Sequence, residues 1–372
     1  MCHLCNLAVE RQSFQHKLLN KMKTKLLFAL LIGLSIGASA QTLGEFKPKE
    51  TKFGLGKAKD ATRIYISNFA INYQIYNEKQ KFKQGGRMLG GGYKGDAKAE
   101  ASVGLTGLTE ADVQQITDRL YQEFMAQIKA KGLQVVTADE AGKTDVYEDY
   151  VKMQGGKVSL AQFPGTMTTA PTGYEWYVKK VKDDGKTKSG GFLGNASFLY
   201  PKLSKGLNDA IIADVNIYVM FVEDKTAFQG GGASVKIKTN LRIADAEAIV
   251  MSDNDSFIRM KGQNSVTAIN SAVNFAHGKM GLSATTSYNG HLAKPLEIND
   301  VIEDTKVSSF ARGGLDYVGV GNMYVTYFTP EDRTSETAKV IKVDSKKYID
   351  GVYAGAKKFL DFHTEAFLNG IK

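Results

Sequence analysis

Cysteine is almost missing from this sequence. Of 372 residues only Cys2 and Cys5 carry a thiol, and both lie within the first five positions. With His3 between them they form a C-x-x-C, the spacing of a metal or redox pair. A zinc site needs a second Cys/His pair at comparable spacing, and none follows. Beyond residue 5 the chain therefore has no disulfide, no thiolate nucleophile and no Fe–S ligand, so its stability must come from an apolar core.

Histidine is nearly as scarce. Past residue 40 only His277, His291 and His363 remain, and no two of them stand three or four residues apart. That spacing excludes a zinc pair on one helix face, and each is expected to be a surface or satisfied core histidine. No cofactor and no metal is expected.

Long apolar runs are also rare. The longest, Leu26 to Leu34, follows Lys21, Lys23 and Lys25 and precedes Ala38-Ser39-Ala40. Basic, apolar and small residues in that order describe a cleaved export signal. Interrupted by Gly33, Ser35 and Gly37, the run falls short of the roughly 20 apolar residues that a membrane span requires. Met22 opens the signal directly, so residues 1–40 read as a spurious extension followed by a signal peptide, Met22–Ala40. Position 41 is Gln, not the acylated Cys of a lipoprotein. The expected product is periplasmic, associated with the outer envelope, or secreted.

The net charge of +9 lacks a focus. A nucleic-acid site would gather Lys and Arg into a stripe interleaved with stacking aromatics. The nearest approach, Tyr174 to Lys182 with Lys186 and Lys188, reads as a strand followed by a solvated turn at Asp183-Asp184-Gly185. Nucleic acid is not an expected partner. A protein or envelope partner, peripheral contact with an anionic surface, and self-association stay open.

Familiar reactive motifs fail one by one. Gly90-x4-Gly95 is followed by Asp96-Ala97 where a phosphate loop needs Lys-Ser/Thr, so the glycine-rich stretch 85–95 reads as a mobile loop or insertion. Neither Ser234 nor Ser283 has the closing glycine of a nucleophile elbow. Asp253-Asn254-Asp255-Ser256 clusters oxygens, but Phe257 takes the fifth position of a calcium loop. The acid pairs Asp183-Asp184 and Glu303-Asp304 sit beside turn residues or charges. Gly191 to Pro201 mixes glycines with aromatics, as a tight turn with a buried ring or as a loop that touches a ligand or membrane.

What the chain does have is periodicity. Residues 41–60 are polar and read as a flexible leader. Ile64 and Ile66, then Phe69, Ile71, Tyr73 and Ile75, alternate with polar neighbours around a slip at Ser67-Asn68, which predicts a half-buried strand with a bulge. Thr109 and Asp112 make a capping box for a helix to Lys131, with Val113, Ile116, Leu120, Phe124 and Ile128 on one face. A short strand at Leu133–Val136 follows. A second helix is expected around 144–153, packing Tyr147, Tyr150 and Val151.

Strands are expected at Ala213–Val222, at Val235–Ile243 with an extension through Met251, and at Asn322–Phe328, the first two antiparallel across Gly230–Gly232. A long helix from Ser345 to Leu368, capped by Asp344 or Ser345, offers Tyr348, Val352, Phe359, Phe362 and Phe367. The fold class is mixed α+β. A βαβ-like unit at 61–155 leads into an antiparallel β-rich region with a C-terminal helix at 156–372, as one continuous domain or two.

The stretch Arg63 to Val136, a strand, a glycine-containing insertion, an amphipathic helix and the strand start Lys131-Gly132-Leu133-Gln134-Val135-Val136, resembles the periplasmic α/β domain of the curli-secretion-channel family and related envelope-assembly proteins. The resemblance implies an envelope location and an assembly role, with no catalytic residues. Export without a reactive constellation thus predicts a non-enzymatic envelope or secreted protein that binds a partner. The alternatives are a secreted hydrolase or carbohydrate-active protein using paired carboxylates, and a membrane-inserting protein.

Overall fold

The computed structural model describes residues 42–83, 86–87, 93–94, 97–163, 165–188, 196–224, 233–251, 265–311 and 338–371. Cys2, Cys5, the export signal, most of the glycine-rich stretch, Gly230–Gly232, the Asp253–Ser256 cluster and the strand expected at Asn322–Phe328 lie outside them.

The strand Arg63–Gln74 carries the predicted bulge. Its parallel register with Ile211–Asp224 steps from Ile66↔Ala213 to Asn68↔Asp214, leaving Ser67 as the extra residue. Ser67 Oγ donates to the Ala213 carbonyl at 2.9 Å. The bulge changes the phase, so Ile64 and Ile66 before it and Phe69, Ile71 and Tyr73 after it all reach the same core.

The helix that follows, α1 (Glu110–Ala130), starts from the expected Thr109/Asp112 capping box. Its exit strand Gln134–Val135 lies parallel to Arg63–Gln74, which closes a β-α-β unit. The central strand Ile211–Asp224 pairs antiparallel with Ala233–Ile243 and with Ala272–His277, which in turn pairs with Thr286–Leu292. The α+β class, with its βαβ-like start, antiparallel strands and C-terminal helix, is therefore the observed one. Because Arg63–Gln74 and Ile211–Asp224 share a sheet, residues 41–372 form one unit.

The C-terminal helix (Ser345–Gly370) is capped by Asp344, whose carboxylate accepts from Lys347 N at 2.9 Å. It packs beside α1 on one face of the sheet, where Phe275 and Phe367 stack at 4.0 Å and Phe124 joins them. Burying each such ring contributes about 1.5–3 kcal/mol. Phe362 departs from its expected burial; it stays partly exposed and meets Phe46 edge-on.

Other expectations need correction. Residues 48–53 are not a flexible leader: Pro48–Phe53 is an edge strand antiparallel to Thr286–Leu292, and its lysines suit an edge that faces water. No helix forms over 144–153. A short helix α2 (Ala138–Ala141) and a 3-10 turn (Asp145–Tyr147) precede the strand Val151–Gln154, which pairs with Glu175–Val178, and Val151 is exposed. The strand Ala233–Ile243 does not run on to Met251. Arg242 binds Glu247 and turns the chain back, so Glu247–Met251 pairs with Ser265–Ile269 in a separate two-stranded sheet.

The opposite face of the main sheet is covered in part. A helix α3 (Ala196–Gly206), the α2 segment and the Tyr147 turn bury Tyr65 and Ile212 with Leu203 and Leu207. With α1, α2 and α3 so placed, the C-terminal helix is α4. Among the described residues no helix is long and apolar enough to cross a membrane.

Candidate functional site

Alternation along the two central strands decides where the polar groups go. With Phe69, Ile71 and Tyr73 turned to α1 and α4, Asn68 and Asn72 must emerge on the other face. On the neighbouring strand Ala213, Val215 and Ile217 enter the same core, so Asp214, Asn216 and Tyr218 emerge beside the two asparagines.

These side chains tie to one another across the strands. Asn68 Nδ2 donates to Asp214 Oδ1 at 2.9 Å, and Asn72 Nδ2 to Asn216 Oδ1 at 2.8 Å. Asn216 Nδ2 reaches the Tyr218 hydroxyl at 3.2 Å, while Thr168 donates to Asn72 Oδ1 at 2.8 Å. Asp214 Oδ2 also accepts from Asn274, whose own oxygen takes a hydrogen bond from Asn289, and Asn289 Oδ1 lies 3.0 Å from His291 Nδ1. Two polar rows thus cross the outer face, each fixed by its neighbours.

Over the part of these rows formed by Asn68, Asn72, Thr168, Asp214, Asn216 and Tyr218 lies a cleft of about 840 Å³. Its walls are aromatic. Trp176 and Tyr177 come from Glu175–Val178, Tyr147 and Tyr150 from the 3-10 turn and its exit, and Tyr200 from α3. Tyr147 and Tyr177 stack at 4.5 Å, and Trp176 lies parallel to Tyr174 at 5.6 Å. Lys157 and Lys186 reach the rim. Burial, reinforced by nearby Asp214, pushes the Tyr200 hydroxyl well above the usual phenol range. Burial does the same to Tyr147, and raises Tyr218 against the pull of its bond to Asn216. All three are neutral hydroxyls at pH 7.

The described lining contains one carboxyl group, Asp214, and neither histidine nor cysteine.

The residues weighed from sequence lie elsewhere. His363 is buried on α4, and His291 faces away from it on the other side of the sheet. His277 ends the strand Ala272–His277, where burial pushes its imidazole below the ordinary range. Among the described residues no three His, Cys, Asp or Glu side chains gather as metal ligands. Asp183-Asp184 occupies the predicted turn, with Lys186 N donating to Asp184. Glu303-Asp304 precedes the strand Lys306–Ala311. Ser234 is a ladder residue paired with Phe310, and Ser283 closes a turn.

Pro201 is not the end of a tight turn but lies inside α3, so Tyr200 is carried by a helix into the cleft. The site residues Asn68, Asn72, Asp214 and Asn216 escaped notice in the sequence, although their type offered a signal. Asn and Asp are depleted in strands, and here they recur on one face of two buried ones, four residues apart as Asn68 and Asn72 and two apart as Asp214 and Asn216. No protein-family model, curated protein or solved structure matches the chain.

Proposed function

We propose that this chain works outside the cytoplasm as a non-enzymatic binding protein, and that the cleft takes a neutral, hydroxyl-rich ligand such as a segment of envelope or surface glycan. One observation carries this reading: a row of asparagine amides lies beneath aromatic walls in a single cleft of about 840 Å³. Aromatic faces bury the C–H side of a sugar ring, while amides exchange hydrogen bonds with its hydroxyls: Asn216 has an N–H beyond the one given to Tyr218, and Asn68, whose two N–H groups are spent on Asp214 and Val215, offers its oxygen. The cross-strand bonds hold those amides in place before a ligand arrives, which reduces the ordering cost of binding. That the described lining holds one carboxyl group, Asp214, favours binding over hydrolysis in this reading. The export signal read in Met22–Ala40 and the resemblance of Arg63–Val136 to periplasmic domains of the curli-secretion-channel type both support an envelope setting.

Trp176 is the one tryptophan in the sequence, and it lines the cleft. Its emission therefore reports on this site alone. Titration of glucose, galactose and N-acetylglucosamine oligomers should give a saturable change in that emission for at least one of the series. The absence of any saturable change up to millimolar concentration, together with no binding on an array of surface glycans, would refute the reading. N-terminal sequencing of protein recovered from outside the cytoplasm should begin at Gln41.

A further inference from the structure

Large apolar side chains left in water are few, and three of the six among the described residues belong to one end of the sheet: Met280 and Leu282 in a hairpin loop, and Phe53 on the strand that ends at its base. The hairpin of Ala272–His277 and Thr286–Leu292 closes through residues 278–285, and the strand Pro48–Phe53 ends opposite Ser287 at the base of that loop. The Thr286 hydroxyl donates to the Gly54 carbonyl at 2.8 Å, which fixes the end of the edge strand against the hairpin.

The loop is not slack. Met280 N donates to Ser283 O at 2.8 Å and Ser283 N to Met280 O at 3.0 Å, and Gly281 takes the left-handed φ of 62° that this turn requires. The turn holds Leu282 out at its apex, 66% exposed, with Met280 in the same turn at 53% and Phe53 at the base of the loop at 51%. Two lysines flank this end of the sheet. Lys279 adjoins Met280, and Lys57 Nζ lies 5.7 Å from the centre of the Phe53 ring.

From this arrangement we infer a membrane-docking tip. Leu282, Met280 and Phe53 enter the headgroup–acyl boundary of an anionic lipid bilayer while Lys57 and Lys279 meet its phosphates. Apolar side chains on a rigid turn, flanked by lysines, suit that boundary because each half of it satisfies one of the two chemistries. The inference is independent of the cleft and its ligand.

The test uses residues 41–372, which contain the whole described core. Sedimentation with vesicles of phosphatidylethanolamine and phosphatidylglycerol at three to one should carry the protein down, about tenfold more than vesicles of phosphatidylcholine, and less as salt is raised. The double variant Leu282→Asp, Met280→Asp should lose this binding about tenfold or more while its thermal unfolding stays unchanged. Failure to sediment with the anionic vesicles overturns the proposal. So does equal binding to phosphatidylcholine, undiminished binding of the double variant, or tip-dependent self-association without vesicle binding.

Discussion

The hydroxyl of Tyr288 stands 2.8 Å from Nδ1 of His363, and so links the strand Thr286–Leu292 to α4 inside the core. The same hydroxyl donates to Glu50 Oε2 at 2.9 Å. With its one proton directed at Glu50, the phenol oxygen must accept from the imidazole, which assigns the hydrogen of His363 to Nδ1. Edge strand, inner strand and helix thereby share one chain of hydrogen bonds. Burial pushes His363 down to about 4, against the opposing pull of the His291 backbone and Glu50.

Stability should therefore depend on pH through this residue. The folded state keeps His363 neutral, whereas the unfolded chain takes up a proton below its ordinary value near 6.5. The contribution is fully present above that value, declines as pH falls from about 6.5 to about 4, and levels off below. Its full size is about 3 kcal/mol. Urea unfolding of the wild type and of His363→Gln across this range should show a shallower decline in the variant, and equal slopes would exclude the buried imidazole as its source.

Gly290 lies directly across from that ring. A Cβ placed there would come within 2.3 Å of His363 Nδ1 and 2.4 Å of Cγ, too close for two packed groups. Gly290→Ala should destabilise the protein by about 1–3 kcal/mol through overpacking. Combined with His363→Ala the clash disappears, so the double variant should be more stable than the sum of the two single effects predicts. Thermal melts of the four proteins measure the coupling.

Much of this fold is written in short-range pattern. The Thr109/Asp112 capping box and the apolar face to Ile128 specify α1, and the phase slip at Ser67-Asn68 marks the bulge before any partner strand is known. The edge strand Pro48–Phe53 is not visible in that way, since its residues are polar and only pairing with Thr286–Leu292 orders them. The same holds for Val151–Gln154, whose spacing of tyrosine and valine imitates a helix until Glu175–Val178 arrives. The cleft was the least legible part. Asn72 and Asn216 are 144 residues apart, and their meeting depends on a parallel register that no local window contains.

Arg242 is the most deeply buried cation described, 2% exposed. Its guanidinium holds Glu247 through Nε at 2.8 Å and Nη2 at 2.5 Å, and donates to the carbonyls of Val222 and Asn240. Removing the carboxylate would strand this charge in the core. Glu247→Ala should cost about 3–5 kcal/mol, and Arg242→Met, which removes the charge itself, should cost less. Denaturant midpoints compared at constant m-value decide the order, and a cheaper Glu247→Ala would contradict it.

The two asparagines at the centre of the cleft should separate stability from binding. Asn72 is 2% exposed, holds Thr168 and Asn216 together and donates to the Ile217 carbonyl, so its loss breaks three hydrogen bonds and leaves the buried Ile217 carbonyl without this donor. Asn72→Ala should lower stability by about 1–3 kcal/mol as well as weaken the ligand. Asn216 is only half-buried, and water can replace it toward both Asn72 and Tyr218. Asn216→Ala should thus leave the melting temperature within a few degrees of wild type. Its effect should fall on affinity, by about tenfold, the value of one neutral hydrogen bond near 1.4 kcal/mol. Trp176 emission during ligand titration gives the affinity and calorimetry the stability. If both substitutions moved stability alone, the asparagine row would be a structural tie between strands and not the floor of a binding site.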